Sequence, residues 1–229
     1  MNIKPGKKIS IIIPVYNEAS TINKLIDNLD QFKDCCEIIF VDGGSNDGTH
    51  RIIEEKHRLV YSPKKGRSNQ MNYGASLSKG DILLFLHADS LLPGDGLIQI
   101  HRIINKGYKV GCFKISFDSR SLIMKICGFM SNLRVRIRNI AFGDQGIFIT
   151  RSYFYELGEF AEIPLMEDYQ LSMDINSNGE KIALRKTKIK TSERRVVEKG
   201  RLNTMIRMQK LQYMYKKGES IELIASLYK

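Results

Sequence analysis

The chain has 229 residues and a formal net charge of +11, with 42% hydrophobic and 27% charged residues, which is ordinary for a soluble globular protein. Its length suits one domain, or one domain with a C-terminal appendage. No apolar run reaches about 18 residues, which argues against a membrane span, and the run at 11–13 is too short for a signal peptide. We therefore expect a cytoplasmic protein, with peripheral contact at the inner membrane surface as the open alternative.

The positive charge is concentrated near the C-terminus. Residues 181–217 hold thirteen basic residues and two acidic ones, Glu193 and Glu198, which accounts for the whole excess of the chain. Such a segment suits nucleic acid, an anionic membrane surface or a phosphorylated substrate, although a solvated helix face has the same composition. The four cysteines lack CxxC spacing and nearby histidines at zinc-ligand spacing, so we interpret them as buried or idle thiols.

Strand and helix patterns alternate in the N-terminal part of the chain. Short apolar or β-branched runs that end at polar turns predict strands at 9–15, 37–41 and 59–61. Helical patterns follow near Ile22, Thr49 and Arg67. This alternation predicts βαβ units and a mostly parallel sheet.

A fourth strand is predicted in the stretch 83–90, where an apolar run stops abruptly on His87 and Asp89. Such a run between turn signals is typical of a strand buried on both faces of a parallel sheet. Both side chains then lie at the carboxyl end, the edge where open α/β sheets bind ligands. An aspartate that only satisfies backbone N–H groups of the turn is the structural alternative.

The regular alternation of strand and helix patterns ends beyond Asp89. The patterns predict further strands at 110–117 and 147–150, and helices at 97–104, 122–133, from about 165, at 202–217 and at 221–228. The expected fold is α/β, with a Rossmann-like, mostly parallel sheet flanked by helices. We assign residues 1–195 to a catalytic domain and residues 196–229 to a basic helical extension that packs on it.

Three carboxylates follow successive predicted strands: Glu18, Asp42 and Asp89. Because parallel strands end at one edge of the sheet, these groups are expected to converge on one crevice. The chain has no GxGxxG motif after its first strand and no GxxxxGK[ST] motif, so the dinucleotide fingerprint and the P-loop are both missing. The loop 42–48 also fails as a calcium loop, because Ile53 stands where a bidentate carboxylate is needed.

A nucleotide held without a glycine-rich loop fits these residues better. Asp42 can accept a hydrogen bond from a base N–H, and Gly43 allows close backbone approach. The planar guanidinium of Arg67, which lies beside Lys64 and Lys65 in the sequence, can donate paired hydrogen bonds to a base or a phosphate. Asp89 suits Mg²⁺ or Mn²⁺ bridging a diphosphate.

The paired carboxylates Glu167 and Asp168 open a predicted helix, whose dipole favours their ionised form. An ionised carboxylate here can take a proton from an attacking hydroxyl, although a helix N-cap is an equally simple use of Asp168. Asp144 and Gln145 present a similar choice between contact with an acceptor and a structural turn.

Four segments resemble, in order and spacing, the family 2 glycosyltransferases of the glycosyltransferase-A fold. They are the segment 11–18, the segment 41–49, the strand that ends in Asp89, and Glu167-Asp168. The resemblance covers roughly residues 8–195. It implies inverting transfer of a sugar from a nucleotide diphosphate donor to a hydroxyl acceptor, with Asp168 as the base. His87 stands where the first aspartate of the family's DxD-type motif usually lies, which leaves Asp89 for the metal.

We assign binding of the nucleotide-sugar donor to a group of residues near the strand ends and to one arginine of the basic tail: Pro14, Tyr16, Glu18, Asp42, Gly43, Arg67, His87, Ala88 and Arg195. Asp168 and Glu167 are assigned to catalysis, and Asp144 and Gln145 to a hydroxyl acceptor whose identity stays open, an anionic acceptor included. No nucleic acid partner is expected.

A narrower resemblance, to short members linked with radical-SAM enzymes and arsenosugar biosynthesis, rests on segments 66–72, 84–89, 143–145 and 164–168. Two other functions stay open. A sugar-1-phosphate nucleotidyltransferase is expected to have a glycine- and arginine-rich loop after the first strand, where this chain has Tyr16-Asn17-Glu18. A non-catalytic module that binds polyanions through its basic tail is the second alternative.

Overall fold

The computed structural model describes residues 7–117, 119, 121–192 and 201–228, with side chains from residue 206 onward in the last segment. It confirms the expected α/β class. The strands of this part are β1 (Ile9–Val15), β2 (Glu37–Asp42), β3 (Arg58–Tyr61), β4 (Ile82–Phe85), β5 (Ser90–Leu91), β6 (Val110–Phe117), β7 (Ile147–Thr150) and β8 (Ala183–Thr191).

The strands form one mixed sheet in the order β3-β2-β1-β4-β7-β6-β8-β5. The half from β3 to β4 is parallel, as the alternating pattern predicts. β7 then runs antiparallel to both β4 and β6, β6 and β8 are parallel, and β5 is antiparallel to β8. The parallel half therefore brings the carboxyl ends of β1, β2 and β4 to one edge.

Helices cover both faces of the sheet. Those described are α1 (Ile22–Leu29), α2 (Thr49–Glu54), α3 (Arg67–Leu77), α4 (Gly96–Ile104), α5 (Leu122–Arg138), α6 (Arg151–Glu156), α7 (Glu167–Ser177), α8 (Arg201–Lys216) and α9 (Ile221–Tyr228). Short 3-10 turns occupy Asp30–Phe32 and Gly143–Gln145.

Alternation along the strands divides the core into two layers. Ile11 and Ile13 of β1 face the layer that includes α1 and α4, while Ile12 faces the layer that includes α3 and α7. All three side chains are fully buried. Strands buried on both faces explain why their sequences are continuous apolar runs.

Helix α3 lies unusually close to the sheet at Gly74. A Cβ atom at this position would come within 2.5 Å of Ile12 and 2.8 Å of Val41. Glycine is therefore required for this close contact of α3 with β1 and β2.

The C-terminal helices pack on the loop before α7. Leu211 of α8 and Ile224 of α9 are buried against Leu165 and Met166. The described part of the C-terminal helices therefore contacts the rest of the protein. In the part of the chain that the structure describes, no helix combines the length and apolar character that crossing a bilayer requires.

Three of the strands and helices described were missed in the sequence, the first being the two-residue strand β5. β8 falls within the segment that we interpreted as the start of a basic tail, and it lies instead inside the sheet between β6 and β5. Helix α6 follows β7 directly and was not predicted. The predicted helix at 122–133 exists and extends to Arg138.

Candidate active site

A cavity of about 390 Å³ lies at the carboxyl ends of β1, β2 and β4. The N-terminus of α3, the loop before α7 and the end of α9 complete its walls. The cavity is lined by eight of the residues predicted to bind donor or metal: Pro14, Tyr16, Glu18, Gly43, Arg67, His87, Ala88 and Asp89. Residues that were not predicted to act there also line it: Val15, Lys65, Gly66, Gln70, Pro164, Leu165 and Tyr228.

The loops after β1 and β2 are linked to each other by hydrogen bonds. The backbone N–H of Asn17 donates to Ser45 Oγ at 2.9 Å, and that of Glu18 donates to Thr49 Oγ1 at 2.8 Å. Asp47 accepts from the backbone N–H of Ala19 at 2.9 Å. The polar residues of the 42–49 loop thus serve to fix the position of Glu18 beside the cavity.

Asp42 is buried and its carboxylate faces its own loop. Its Oδ2 accepts from the backbone N–H groups of Gly44 and Ser45, at 3.0 and 2.9 Å, and Oδ1 accepts from Ser45 Oγ. This is the hydrogen-bonding pattern of an aspartate that closes a turn. Contact of Asp42 with a nucleoside stays a prediction.

Gln70 joins the ends of β1 and β2 and was missed in the sequence. Its Nε2 donates to the backbone oxygens of Val15 at 2.8 Å and Val41 at 2.7 Å. A Cβ atom at Gly43 would lie only 3.0 Å from the Gln70 carboxamide. Gly43 therefore makes room for this side chain, a role different from the predicted approach to a ligand. A buried glutamine in a helix gives no sequence signal of such a contact.

The turn after β4 holds His87 and Asp89. The backbone N–H of Ser90 donates to the His87 carbonyl oxygen at 3.0 Å, and that of Ser192, just after β8, donates to the Asp89 carbonyl oxygen at 3.1 Å. A Cβ atom at Gly143 would come within 2.2 Å of His87 Nε2. The imidazole therefore lies directly against the 3-10 turn Gly143–Gln145.

Arg67 and Glu167 form an ion pair between Nε and Oε1 at the cavity wall. The Glu167 side chain is almost fully buried. Burial opposes protonation of Arg67, but the nearby carboxylates of Glu167 and Asp168 outweigh it and raise the pKa of the guanidinium. Met166, which precedes Glu167, has φ +70°, a strained conformation for a residue with a Cβ.

Asp168 is the second residue of α7 and does not cap it, since Met166 occupies the N-cap position. Its Oδ1 accepts a hydrogen bond from the backbone N–H of Tyr169 at 2.7 Å. Its Oδ2 accepts one from the backbone N–H of Gly143 at 2.8 Å. Burial raises the pKa of Asp168, and the charge of Glu167 raises it further, against the opposing effect of Arg67. A carboxylate with a raised pKa is a stronger base.

Asp144 lies in the same electrostatic environment. Burial raises its pKa from 3.8 to about 6; Arg134 acts against this rise, and the charges of Asp168 and Asp89 add to it. Its Oδ1 is buried and has no hydrogen-bond partner among the residues that the structure describes. Three carboxylates, Asp89, Asp144 and Asp168, therefore interact electrostatically at this side of the site.

Arg134 of α5 is a cation near this group, in addition to Arg67. It lies one residue beyond the helix predicted from the sequence. Its Nη2 donates to Gln145 Oε1 at 3.1 Å, and its guanidinium carbon lies 3.7 Å from the centre of the Phe142 ring. Gln145 is buried, and its Nε2 also donates to the Phe113 carbonyl oxygen at 3.4 Å. The predicted contact of Gln145 with an acceptor stays a prediction.

The described residues do not show the position of Arg195 or a complete set of metal ligands. Arg195 lies outside the described residues. Within the described ranges, no group of three or more His, Cys, Asp or Glu side chains is arranged to hold a metal ion. The metal prediction therefore depends on Asp89 and on the carboxylates near it.

Comparison with known proteins assigns the chain to a family. The sequence profile described as "Glycosyl transferase family 2" matches residues 10–157. The undecaprenyl-phosphate 4-deoxy-4-formamido-L-arabinose transferase of Yersinia pestis (strain Pestoides F) is 28% identical over 163 residues, covering 66% of this chain and 50% of the relative. The chain thus spans about half the length of the curated relatives it matches.

Solved structures show the same architecture. The mannosyltransferase PcManGT from Pyrobaculum calidifontis, in complex with GDP-Man and Mn²⁺, matches with a TM-score of 0.67 and 19% identity, covering 91% of this chain and 62% of that chain. S. aureus TarS 1-349 in complex with UDP-GlcNAc matches with a TM-score of 0.65 and 21% identity, covering 81% and 58%. At these identities the likeness establishes the fold alone, which is of the glycosyltransferase-A type. Together with the profile match over most of the chain, it shows that the chain belongs to glycosyl transferase family 2.

Proposed function

We propose that the chain transfers a sugar from a nucleotide diphosphate donor to an acceptor hydroxyl in one displacement, with inversion at the anomeric carbon. The observation that carries this proposal is the meeting of predicted donor residues from β1, β2, α3 and β4 in one cavity, next to the carboxylates Asp89, Asp144 and Asp168. Ligands of open α/β sheets bind at this edge.

The donor occupies the cavity of about 390 Å³ in this proposal. Glu18 and the Asp42 loop contact the nucleoside, and the guanidinium of Arg67 faces the diphosphate while Glu167 holds it in place. Glu167 then acts as a positioning residue, because its ion pair with Arg67 leaves the role of base to Asp168. Arg195 is proposed as a further contact to the diphosphate.

Asp168 is the proposed base. The acceptor oxygen forms a bond to the anomeric carbon, the bond from that carbon to the diphosphate oxygen breaks, and the acceptor proton moves to the Asp168 carboxylate. The hydrogen bonds from Gly143 and Tyr169 hold this carboxylate in one orientation. Its raised pKa brings its basicity closer to that needed at neutral pH.

A divalent cation is part of the proposal, because carboxylates of the site offer oxygen donors for it. Asp144 has a buried carboxylate oxygen without a hydrogen-bond partner among the described residues, and Asp89 and Asp168 repel its negative charge. Oxygen donors of this kind are those that Mg²⁺ and Mn²⁺ prefer. Asp89 would hold the ion, with Asp144 as a second candidate, and the bound ion would supply positive charge to the departing diphosphate.

The class of acceptor is suggested by the relatives. The relatives are named as transferases that act with undecaprenyl-phosphate, and Arg134 adds a cation beside Asp144. We propose an acceptor that carries an anionic group, and phosphorylated lipids are the first class to test beside simple alcohols and sugars. Residues 1–195 are proposed as the catalytic domain, with 196–229 as the extension that packs on it. The narrower arsenosugar branch stays a prediction based on the four segments named above.

Product analysis tests the proposal. Nucleotide sugars that raise the melting temperature with Mg²⁺ or Mn²⁺ identify the donor, because a ligand that binds the folded state stabilises it. Turnover should then release a nucleoside diphosphate and give a product of inverted anomeric configuration. Release of pyrophosphate would favour the nucleotidyltransferase, and retention of configuration would exclude direct displacement.

Replacement of Asp168 tests its role as base. Asp168→Asn should lower kcat by about 10²–10⁴ while the affinity for donor stays within a few-fold of the wild type. Asp174→Asn is the matched control, because Asp174 lies on the same helix and bonds Gln170 rather than the site. Equal activity of the two variants would remove Asp168 from the base role.

A further inference from the structure

Helix α5 carries apolar side chains on two opposite faces. One face is buried on the protein through Met124, Cys127, Gly128 and Val135. The opposite face carries the stripe of Leu122, Ile126, Phe129, Leu133 and Ile137, which falls within a sector of about 80° on a helical projection. Leu122 is 70% exposed, Phe129 64% and Ile137 71%. A helix that packs by one face ordinarily exposes polar residues on the other, so this stripe indicates a binding surface.

A basic cavity lies beside the stripe. Its volume is about 540 Å³, larger than that of the candidate active site, and it contains none of the residues of that site. Four basic side chains line it: Lys114, Lys125, Arg136 and Lys188. Among the described residues that line it, none is acidic. Leu133 and Phe129 belong both to the stripe and to the wall of this cavity.

The position of α5 is fixed by a side chain that substitutes for a strand partner. Asn132 Oδ1 accepts from the backbone N–H of Ile115 at 2.9 Å, and its Nδ2 donates to the Ile115 carbonyl oxygen at 3.2 Å. Both bonds are made to β6, which pairs with β7 only at Val110 and Gly111. The apolar stripe is therefore presented by a helix that is firmly held.

We propose that the stripe of α5 and the basic cavity form a docking surface for an anionic phospholipid bilayer. The stripe runs for about 22 Å along the helix, long enough for the helix to lie in the membrane plane with its apolar residues between the lipid head groups. Lys114, Lys125, Arg136 and Lys188 then meet the lipid phosphates.

The charges argue against a second copy of the chain as the occupant. Helix α5 contains Lys125, Arg134, Arg136 and Arg138 and no acidic residue. A symmetric dimer through this surface would bring the same positive side chains together, which is unfavourable. A negatively charged lipid surface instead complements both the charges and the apolar stripe.

The helix that carries the stripe also contacts the turn beside the candidate active site. The inner side of the same helix carries Arg134, which bonds Gln145 and lies over Phe142. The inference does not depend on the proposed chemistry, because lipid binding is measured without turnover.

Sedimentation with lipid vesicles tests the proposal. The wild-type protein should bind vesicles of phosphatidylcholine that contain about one third phosphatidylglycerol, and bind pure phosphatidylcholine about tenfold more weakly. Ile126→Ser with Phe129→Ser should reduce binding to the anionic vesicles by about tenfold. Lys125→Gln with Arg136→Gln should reduce it by a similar factor and lower its dependence on salt.

Matched controls separate this surface from the general positive charge of the chain. Arg102→Gln with Lys106→Gln removes two exposed charges from the end of α4 and its following turn, and Ile98→Ser removes an exposed apolar side chain from the same helix. These variants should bind anionic vesicles as the wild type does. Circular dichroism and thermal melts of every variant check that the fold is retained.

Three outcomes would overturn the proposal. Wild-type protein that does not bind anionic vesicles excludes the membrane as the occupant. Equal losses in the α5 variants and in the α4 controls would mean that the net charge alone causes binding. A concentration-dependent dimer, detected by analytical ultracentrifugation and abolished by Phe129→Ser, would instead assign the stripe to a second copy of the chain.

Discussion

The guanidinium of Arg67 forms an ion pair with the carboxylate of Glu167, and this pair joins the first residue of α3 to the first residue of α7. The Glu167 side chain is only 2% exposed, whereas that of Arg67 is 34% exposed and lines the cavity. Glu167 therefore holds Arg67 at the cavity wall, and Asp168, which follows it, is left to face Gly143.

Breaking this pair should destabilise the protein. In Glu167→Gln the charge of Arg67 loses its buried partner, and we expect a loss of about 1–3 kcal/mol in the free energy of unfolding, less than for a fully buried pair because Arg67 keeps contact with water. Donor affinity should fall as well, since Arg67 is no longer fixed. Urea unfolding and calorimetric titration measure the two effects.

The control is a surface pair of the same chemistry. Lys64 Nζ lies 2.6 Å from Glu162 Oε2, and the two side chains are 63% and 54% exposed. Glu162→Gln should change the free energy of unfolding by less than about 0.5 kcal/mol. If both variants unfold at the same urea concentration, the Arg67–Glu167 pair is worth no more than a surface contact.

Sequence patterns were sufficient for the parallel half of the fold and for the strand-end residues. Strands buried on both faces require continuous apolar runs, so the ends of β1 and β4 are visible where those runs stop. Glu18, Asp42 and Asp89 were predicted to converge for this reason. Glu18 and Asp89 do line one cavity, whereas the buried Asp42 is not among its lining residues.

Other parts depend on contacts that no local pattern records. Lys186, Lys188 and Lys190 of β8 alternate with Thr187, Ile189 and Thr191, yet the run was read as a charged tail because its basic residues dominate the composition. The side chain of Arg134 turns inward only because α5 packs beside the Gly143–Gln145 turn. Asp42 bonds its own loop, an outcome that its position after a strand does not distinguish from ligand binding.

The carboxyl group of Asp144 should make stability depend on pH. Because its pKa in the folded protein is raised from 3.8 to about 6, the folded state holds this proton more tightly than the unfolded state. Its contribution to stability is therefore greatest at low pH and is lost as the pH rises from about 4 to about 6. Asp144→Asn does not titrate, so its free energy of unfolding relative to the wild type should rise through this range by about 1–3 kcal/mol.

Denaturant titrations from pH 4 to 7 measure this difference. They should be made in the presence of a metal chelator, because a bound cation favours the ionised carboxylate. Parallel curves for the variant and the wild type would mean that Asp144 is not perturbed by its surroundings.

Gly143 should tolerate no side chain. A Cβ atom there would lie 2.2 Å from His87 Nε2, so Gly143→Ala must displace the imidazole that lines the cavity. We expect a loss of about 1–3 kcal/mol in stability and a weaker affinity for donor. Gly94→Ala is the control, because its Cβ would meet only the end of the flexible Gln31 side chain, at 3.3 Å. Unchanged donor affinity in Gly143→Ala would show that the position of His87 is not important for binding.

Tyr228, at the end of α9, should contribute to donor binding from the cavity wall. It lines the cavity with Arg67, and α9 is held in place independently by the fully buried Ile224. Tyr228→Ala should therefore leave the melting temperature nearly unchanged while weakening donor affinity by about fivefold, the effect of one lost polar or aromatic contact. Tyr213→Ala, at a position of α8 that is 62% exposed and outside the cavity, is the matched control. Calorimetric titration of both variants with the donor measures whether Tyr228 contributes to donor affinity. Equal affinities of the two variants would mean that the C-terminal helices serve packing alone.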